Sequence, residues 1–178
     1  MEKEEYAIVL DYLPYGYPLE KKNLPIIQAI GKSNFILLQL VPRRGEKIDT
    51  KEEIYIGEGK RDKIQFIQGR LLRERLTENG KNQLKEIIAI RVKEKEKEFV
   101  KFFNEAQAFN TRLHQLELLP GFGKKHCQAL LTERDKKPFE SFEDIKTRVS
   151  GIPDPERCIE RRIFEELTEI QRQNLFIK

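Results

Sequence analysis

The chain has 178 residues, which is enough for one ordinary domain or two small ones. It is 36% charged, with 34 Lys and Arg against 30 Asp and Glu, and the excess positive charge lies in residues 21–91. Two cysteines cannot build a disulfide framework, no run approaches the about 20 apolar residues of a membrane span, and the charged N-terminus does not resemble a secretory signal. We therefore expect a soluble cytoplasmic protein without a membrane partner.

The first 75 residues have the pattern of short strands separated by turns. Runs rich in β-branched and aromatic residues predict strands at Tyr6–Leu13, Phe35–Val41, Glu53–Ile56 and Lys63–Ile67. Leu24–Ile30 is predicted to be a short helix, and the last two strands to form a hairpin through the loop 57–62. Alternation along the first strand predicts that Tyr6 is in the core. This spacing of strands favours a small β-barrel.

Helical periodicity replaces the strand pattern beyond residue 76. The stretch from Asn79 to Ala108 has no proline, and its apolar residues recur at helical spacings. The alternating Lys/Glu run at 93–98 predicts a break between two helices and an exposed charged face. We interpret this segment as a connector.

The C-terminal part contains a helix, a turn and a second helix, and this pattern occurs twice. Leu113, Leu116 and Leu119 predict an apolar helical stripe that ends at the turn 120–123, after which a helix resumes at Lys124. The repeat consists of a capped helix, a turn and a last helix. Ser141 is the predicted N-cap of its first helix, and Gly151-Ile152-Pro153 is the turn. Asp154 is the predicted N-cap of the last helix, and Pro155 is its first residue.

These motifs resemble a known module. The first hairpin has the sequence Leu119-Pro120-Gly121-Phe122-Gly123-Lys124-Lys125, and it is followed by Arg134 and by Pro138–Ile145. This order of features is similar to the tandem helix-hairpin-helix module, as in the DNA-receptor domain of bacterial competence proteins. The whole chain also resembles an uncharacterised, mainly archaeal family of predicted nucleic-acid-binding proteins. The resemblance implies an α+β protein with an OB-like β-barrel at 1–75, a helical connector at 76–109 and a tandem helix-hairpin-helix domain at 110–178.

The first hairpin has the composition of a phosphate site. Its glycine-containing turn leads into a helix, which leaves backbone N–H groups unpaired at the positive end of the helix dipole. Gly121 and Gly123 would allow unusual φ and close approach of a sugar-phosphate backbone, Phe122 would anchor the turn in the core, and Lys124 and Lys125 would add charge. Such contacts predict binding that is sensitive to salt and independent of base sequence. The resemblance also implies a monovalent cation at the hairpin carbonyls of 119–123.

The second hairpin departs from this composition. Pro153 lacks an N–H, and the carboxylate of Asp154 would cap the donors that a phosphate needs. We therefore expect the first hairpin to contact the phosphates, helped by Lys136, Lys137 and Arg148, and the second to be structural.

The strand-rich half offers a second candidate surface. Aromatic rings beside basic side chains are how OB-type barrels hold single strands. Tyr15 and Tyr17 lie in a proline-glycine turn, where exposure is expected. The basic residues that would line the same surface are Arg43, Arg44, Lys60 and Arg61.

No catalytic motif is apparent. His114, His126 and Cys127 lack metal-site spacing, so the histidines are interpreted as helical-surface residues, and Cys127 and Cys158 as core residues. Neither a nucleophile motif nor a P-loop is present, so we expect no enzyme and no cofactor.

Three alternatives to a nucleic-acid binder remain open. The first hairpin could be a plain αα-turn, and the tandem module could serve dimerisation or bind a protein partner. A metal-dependent nuclease would need converging carboxylates, such as Asp11, Asp49 and Asp62. Whether the ligand is DNA or RNA is also left open by the sequence.

Overall fold

The fold was examined in a computed structural model, which describes residues 3–178. Over this range the chain is an α+β protein with five strands and five α-helices. It divides into two compact units: a sheet unit, formed by residues up to Ile87 together with Leu167–Lys178, and a helical unit, Ile88–Glu166. Among the described residues, no helix has both the length and the apolar character needed to cross a bilayer.

The sheet unit contains a single curled antiparallel sheet, half a barrel in form. Its strands are β1 (Tyr6–Leu13), β2 (Ile26–Gly31), β3 (Leu37–Pro42), β4 (Glu53–Tyr55) and β5 (Ile64–Arg70). They are arranged in the order β4-β1-β2-β3-β5, with Tyr6 opposite Tyr55 and Leu40 opposite Ile67. The two edges of the sheet are therefore β4 and β5.

The core of this unit consists of branched aliphatic side chains from every strand. Ala7, Val9, Ile27, Leu40 and Ile64 are among its completely covered members. All six residues of β2 are buried, because this central strand is paired on both sides and covered on both faces. The core thus fixes the curvature and register of the sheet.

Three predictions for this half are wrong. Leu24–Ile30 is mainly the central strand β2, because its Ile-Ile-Gln-Ala-Ile run pairs with strands on either side. β4 and β5 do not form a hairpin with each other but lie at opposite edges of the sheet. Tyr6 is 42% exposed, since Ala7 and Val9 face the core and Tyr6 therefore points to the opposite face.

The helices are α1 (Glu78–Glu94), α2 (Glu96–Glu105), α3 (Lys124–Lys136), α4 (Phe142–Arg148) and α5 (Pro155–Thr168). The predicted break in the Lys/Glu run is confirmed: α1 and α2 are separated at Lys95, whose ψ of 26° and φ of −101° depart from helical values. The predicted caps are confirmed as well, since Ser141 Oγ accepts the N–H of Asp144 and Asp154 Oδ1 accepts the N–H of Glu156.

The helix expected before the first hairpin is only a four-residue 3₁₀ turn, Gln115–Leu118. The chain before it is a bent loop, 109–113, which the β-bridge between Ala108 and His114 closes. His114 Nδ1 then caps the turn by accepting the N–H of Leu116. Too few residues remain before Pro120 for an α-helix.

A polar network in the sheet unit joins the sheet to the start of α1. The completely buried side chain of Gln28 donates to the carbonyl of Arg75 (2.7 Å) and accepts the N–H of Thr77 (3.1 Å). Thr77 Oγ1 in turn caps α1 by accepting the N–H of Gly80, and donates to Asp11 Oδ2. Gln28 therefore holds the segment that starts α1.

Replacing Gln28 by Leu should lower the free energy of unfolding by about 1–3 kcal/mol, because the carbonyl of Arg75 and the N–H of Thr77 lose their buried partner at nearly constant side-chain volume. Urea denaturation would measure the change. Gln65→Leu, on the exposed side of β5, is the control and should have a much smaller effect. Equal stability of Gln28→Leu and the parent chain would contradict this role.

Candidate nucleic-acid interface

The first hairpin is a tight glycine turn between the 3₁₀ turn and α3. Gly121 has φ +84°, a conformation that favours glycine, whereas Gly123 has an ordinary φ of −98°. The expectation of unusual φ is thus confirmed for Gly121 and wrong for Gly123. Phe122 is buried and contacts the rings of Phe103 and His126, so its predicted role as an anchor is confirmed.

Two backbone donors at the start of α3 belong to exposed residues. Lys124 and Lys125 are exposed, and within residues 3–178 their N–H groups have no hydrogen-bond partner. The N–H of Gly123 is different, because it donates to His126 Nδ1 at 3.0 Å. Two of the amides needed for an anion site are therefore available, and a third is already occupied.

His126 and His114 both act as helix caps, which the interpretation as plain surface histidines missed. Each ring is half-buried and uses Nδ1 as an acceptor for a backbone N–H. His126 is the third residue after Gly123, which is the position of the reciprocal acceptor in a capping box. That spacing is the signal that could have predicted its role.

The two lysines of the motif have different environments. Lys124 Nζ donates to the carbonyl of Arg112 (2.7 Å) and lies 3.3 Å from Glu117 Oε1. Glu117 also accepts the N–H of His114, and this hydrogen bond together with the ammonium of Lys124 lowers its pKa. The side chain of Lys125 is exposed and makes no such contact within the described chain. Lys125 is therefore the more available cation.

A groove of about 210 Å³ runs beside the hairpin. It is lined by the loop 108–114 and by residues of α3, including Lys124 and Gln128. His114 and Glu117 also contribute to its walls. A chain bound at the start of α3 would have a polar surface next to it.

The second hairpin is capped by the chain itself. Asp154 accepts the N–H of Glu156 through Oδ1, and its Oδ2 lies 3.2 Å from Lys146 Nζ. Its turn packs on the first: a Cβ at Gly121 would lie 3.2 Å from Pro153 Cγ. The second hairpin thus supports the first, while its own helix N-terminus already has a carboxylate.

The hairpin carbonyls are a partial fit to the monovalent cation that the resemblance implies. Leu119 accepts the N–H of Phe122, Gly123 accepts the N–H of Cys127, and Pro120 accepts the Cys158 thiol at 3.1 Å. In the described chain this leaves the carbonyls of 121 and 122 without a donor. Two carbonyls do not complete a coordination shell, so water or ligand oxygens would have to supply the rest.

The other predicted helpers lie at the far end of α3. Lys136 pairs with Glu133, and Lys137 pairs with Glu140, in exposed ion pairs. Arg148 instead donates to the carbonyls of Glu133 and Lys137, both at 2.6 Å, and therefore caps the end of α3. Arg134, the arginine of the motif, similarly binds the carbonyls of Phe103 and Ala106 at the end of α2. These arginines hold the helices together.

In the sheet unit the two tyrosines differ. Tyr15 is 79% exposed, as a stacking platform requires. Tyr17 is half-buried: its hydroxyl donates to Gln39 (2.6 Å), and the guanidinium of Arg75 lies 4.8 Å from its ring centroid. Tyr17 is thus part of the polar network around Gln28, whose amide donates to its hydroxyl.

The four basic loop residues of the sheet unit lie in neighbouring loops. Arg43 Nε donates to the carbonyl of Arg61 at 2.8 Å, which joins the loop after β3 to the loop before β5. Arg61 Nε donates to the carbonyl of Gly57. Arg44 and Lys60 are exposed. The structure therefore brings the two loops together, and two of the four side chains are held by backbone carbonyls.

The cysteines and acidic residues provide no further site. Cys127 and Cys158 are buried free thiols, as predicted, and burial raises the pKa of Cys158 to about 11. Among the described residues, no group of three or more His, Cys, Asp or Glu could hold a metal ion. Asp11, one of the nuclease candidates, is hydrogen-bonded to Thr77 and Asn79.

The fold and site together define a class of α+β protein with a curled five-stranded sheet and a helical unit that exposes a glycine turn before a helix. The chain belongs to the family described as "Protein of unknown function (DUF655)", whose model matches residues 3–178. It is 43% identical over 177 residues to the uncharacterized protein MJ0038 of Methanocaldococcus jannaschii, covering 98% of this chain and 80% of that protein. It is also similar to the crystal structure of Af1531 from Archaeoglobus fulgidus, at 44% identity and a TM-score of 0.86, covering 98% of this chain and all of that one.

His114 should make stability depend on pH near neutrality. Burial and the guanidinium of Arg134 lower its pKa, although Glu117 partly opposes this. When the pH is lowered through the ordinary histidine pKa of about 6.5, the unfolded chain therefore binds more protons than the folded chain. The free energy of unfolding should decrease as the pH decreases. Urea denaturation at a series of pH values between neutral and mildly acidic would measure this loss.

The control is His114→Asn, which retains a capping oxygen but does not titrate. Its stability should change less over the same interval. Carboxylates with lowered pKa, such as Asp144, lose their stabilising effect only at lower pH, so they do not obscure the comparison. Parallel profiles for the two proteins would contradict the assignment.

Proposed function

We propose that this protein binds nucleic acid independently of sequence, by holding the phosphate backbone at the first hairpin. The observation that carries the proposal is the pair of backbone amides of the exposed residues Lys124 and Lys125, which lack a partner among the described residues. They lie at the positive end of the α3 dipole, where an anionic oxygen is stabilised. Gly121 supplies the positive φ of this turn.

The same geometry explains why base sequence should not matter. Backbone amides and lysine ammonium groups recognise phosphate oxygens, which are the same in every nucleotide. Residues 119–125 of the turn include no arginine, asparagine or glutamine, the side chains that match a base edge. Affinity should therefore depend on salt, since each phosphate contact releases counterions.

The two helix–turn–helix segments form, in this proposal, a tandem helix-hairpin-helix module with unequal halves. The packing of Gly121 on Pro153 and the thiol–carbonyl hydrogen bond from Cys158 to Pro120 support a joint role for the two hairpins. Asp154 occupies the donors of the second hairpin, which makes the first the binding half.

The sheet is proposed to be an OB-like second surface for the same ligand. Tyr15, Arg44 and Lys60 are its exposed members and would stack a base or neutralise phosphates. Arg43, Arg61 and Tyr17 support the surface through their intramolecular contacts. Its ligand is DNA or RNA.

The alternative function, a protein-interaction adaptor, has no comparable structural observation in its favour. That alternative requires a large exposed apolar patch between residues 140 and 170. Within the described chain, Ile170 is the one large hydrophobic side chain in this range that is strongly exposed. An isolated exposed residue does not form a docking surface.

Lys125→Glu should weaken nucleic-acid binding about tenfold or more at low salt and reduce the salt dependence, because one phosphate-neutralising cation is lost and a repelling charge is added. Filter binding to single- and double-stranded DNA and RNA at two salt concentrations would measure both quantities. It would also identify the preferred ligand.

Two controls accompany this experiment. Lys101→Glu makes the same change of net charge on the exposed face of α2 and should have a much smaller effect. Asp154→Asn preserves a helix cap in the second hairpin and should change affinity little. If Lys101→Glu or Asp154→Asn reduced binding as much as Lys125→Glu does, the role of the first hairpin would be refuted.

Glu117→Gln should increase affinity by about two- to fivefold, the range of a surface ion pair. The substitution removes the carboxylate that pairs with Lys124 and keeps an oxygen for the N–H of His114. The same titration with Lys124→Met and with the double variant would show whether the gain acts through Lys124. An equal gain in the Lys124→Met background would contradict this.

A further inference from the structure

A cleft of about 630 Å³ lies in the sheet unit, and its lining residues come from a different part of the sequence from the two hairpins. It is bounded by the N-terminal residues and the end of β4 on one side and by β3 and β5 on the other. Because β4 and β5 are the two edges of the sheet, the cleft lies where the curled sheet is open. Its volume is within the range of small-molecule sites, about 300–1,000 Å³.

The floor of the cleft is apolar. Leu38 and Ile67 are half-buried and pack on the core of the sheet, and Ile36 and Ile56 complete the surface. Since Leu38 and Ile67 retain exposed area, a flat apolar group bound there would bury surface that the chain itself leaves open. The floor therefore suits a ring rather than a fully hydrated ion.

Tyr55 forms a fixed aromatic wall. Its hydroxyl accepts the N–H of Gly59 at 2.9 Å, and its ring meets that of Tyr6 edge-on at 5.4 Å. A Cβ at Gly57 would lie only 2.4 Å from the Tyr55 hydroxyl oxygen, so glycine at 57 makes room for the ring in this position. A wall held in this way can contact a planar ring at little entropic cost.

The rim of the cleft carries two guanidinium groups, Arg61 and Arg70. Arg61 is oriented by the hydrogen bond from its Nε to the carbonyl of Gly57. Guanidinium groups are the preferred partners of phosphate oxygens, which they bind through paired N–H donors.

Most of the acidic groups around the cleft are compensated within the chain. The buried carboxylate of Glu4 accepts the N–H groups of Ser33 and Asn34, and Glu58 pairs with Lys3 at 2.8 Å. Glu5 lies at the exposed mouth. Arg61, whose Nε is held by the carbonyl of Gly57, is then the cation of the lining placed to meet an anionic ligand.

We propose that this cleft binds one nucleotide unit, with the base on the floor formed by Leu38 and Ile67 beside Tyr55 and the phosphate at Arg61. A ring-bearing anion satisfies the apolar floor, the aromatic wall and the basic rim together. An acyl chain would make no ionic contact with the guanidinium of Arg61. The site is independent of the hairpin, and its ligand is either a free mononucleotide or a nucleotide of a single strand.

The test is calorimetric titration of the full chain with each of the four ribonucleoside monophosphates, with adenosine and with ribose 5-phosphate. At least one monophosphate should bind, and more tightly than adenosine, which lacks the phosphate, and than ribose 5-phosphate, which lacks the base. Arg61→Met should weaken that binding by about tenfold, the effect of losing one charge-assisted hydrogen bond. Lys47→Met, at an exposed position outside the cleft, is the matched control and should leave it unchanged.

A second variant, Leu38→Phe, fills the floor and should block every nucleotide while thermal melting verifies that the chain is folded. Competition by a short single-stranded oligonucleotide distinguishes the two sources: displacement of the mononucleotide assigns the site to a strand, and no displacement assigns it to the free nucleotide. Lys125→Glu should leave mononucleotide binding unchanged, which separates this site from the proposed function. No binding of any monophosphate, or equal losses in Arg61→Met and Lys47→Met, would overturn the proposal.

Discussion

The first turn of a helix exposes amides that need acceptors, and the distribution of acceptors in the helical unit decides where an anion can bind. α4 and α5 receive side-chain oxygens from Ser141 and Asp154. At α3 the acceptor is the ring of His126, which satisfies only Gly123. Within the described residues the amides of Lys124 and Lys125 have no acceptor, and their hydrogen bonding to a phosphate oxygen is the interaction on which the proposed function depends.

The features that sequence predicted well are those determined by a few consecutive residues. The break at Lys95, the caps at Ser141 and Asp154 and the anchoring of Phe122 follow from local chemistry. The features that it missed depend on distant partners. Ile26–Gly31 is a strand because β1 and β3 lie on either side of it, and β4 and β5 lie at opposite edges because pairing with β1 and β3 separates them. The strand and helix propensities of these residues indicate neither of these strand arrangements.

The candidate site shows the same division. The turn, its glycine and its lysines could be read from the motif, whereas the neutralisation of Lys124 by Glu117 needed the folded positions of both residues. Tyr17 illustrates the same limit, because its position in a turn predicted exposure but Gln39 and Arg75 engage its hydroxyl and ring. His126 is the exception: its spacing from Gly123 was a readable capping signal.

The contacts of the basic residues also bear on sequence independence. Arg134 and Arg148 bind several backbone carbonyls and are committed to the ends of α2 and α3, because releasing them would leave those carbonyls unpaired. Lys136 and Lys137 form exposed ion pairs worth only about 0–1 kcal/mol, so a phosphate can replace their partners at little cost. Of these four basic residues, the two that could move to a ligand are thus lysines, which act as point charges and lack the planar fork that reads guanine. In the proposed function, this distribution favours binding that does not depend on base sequence.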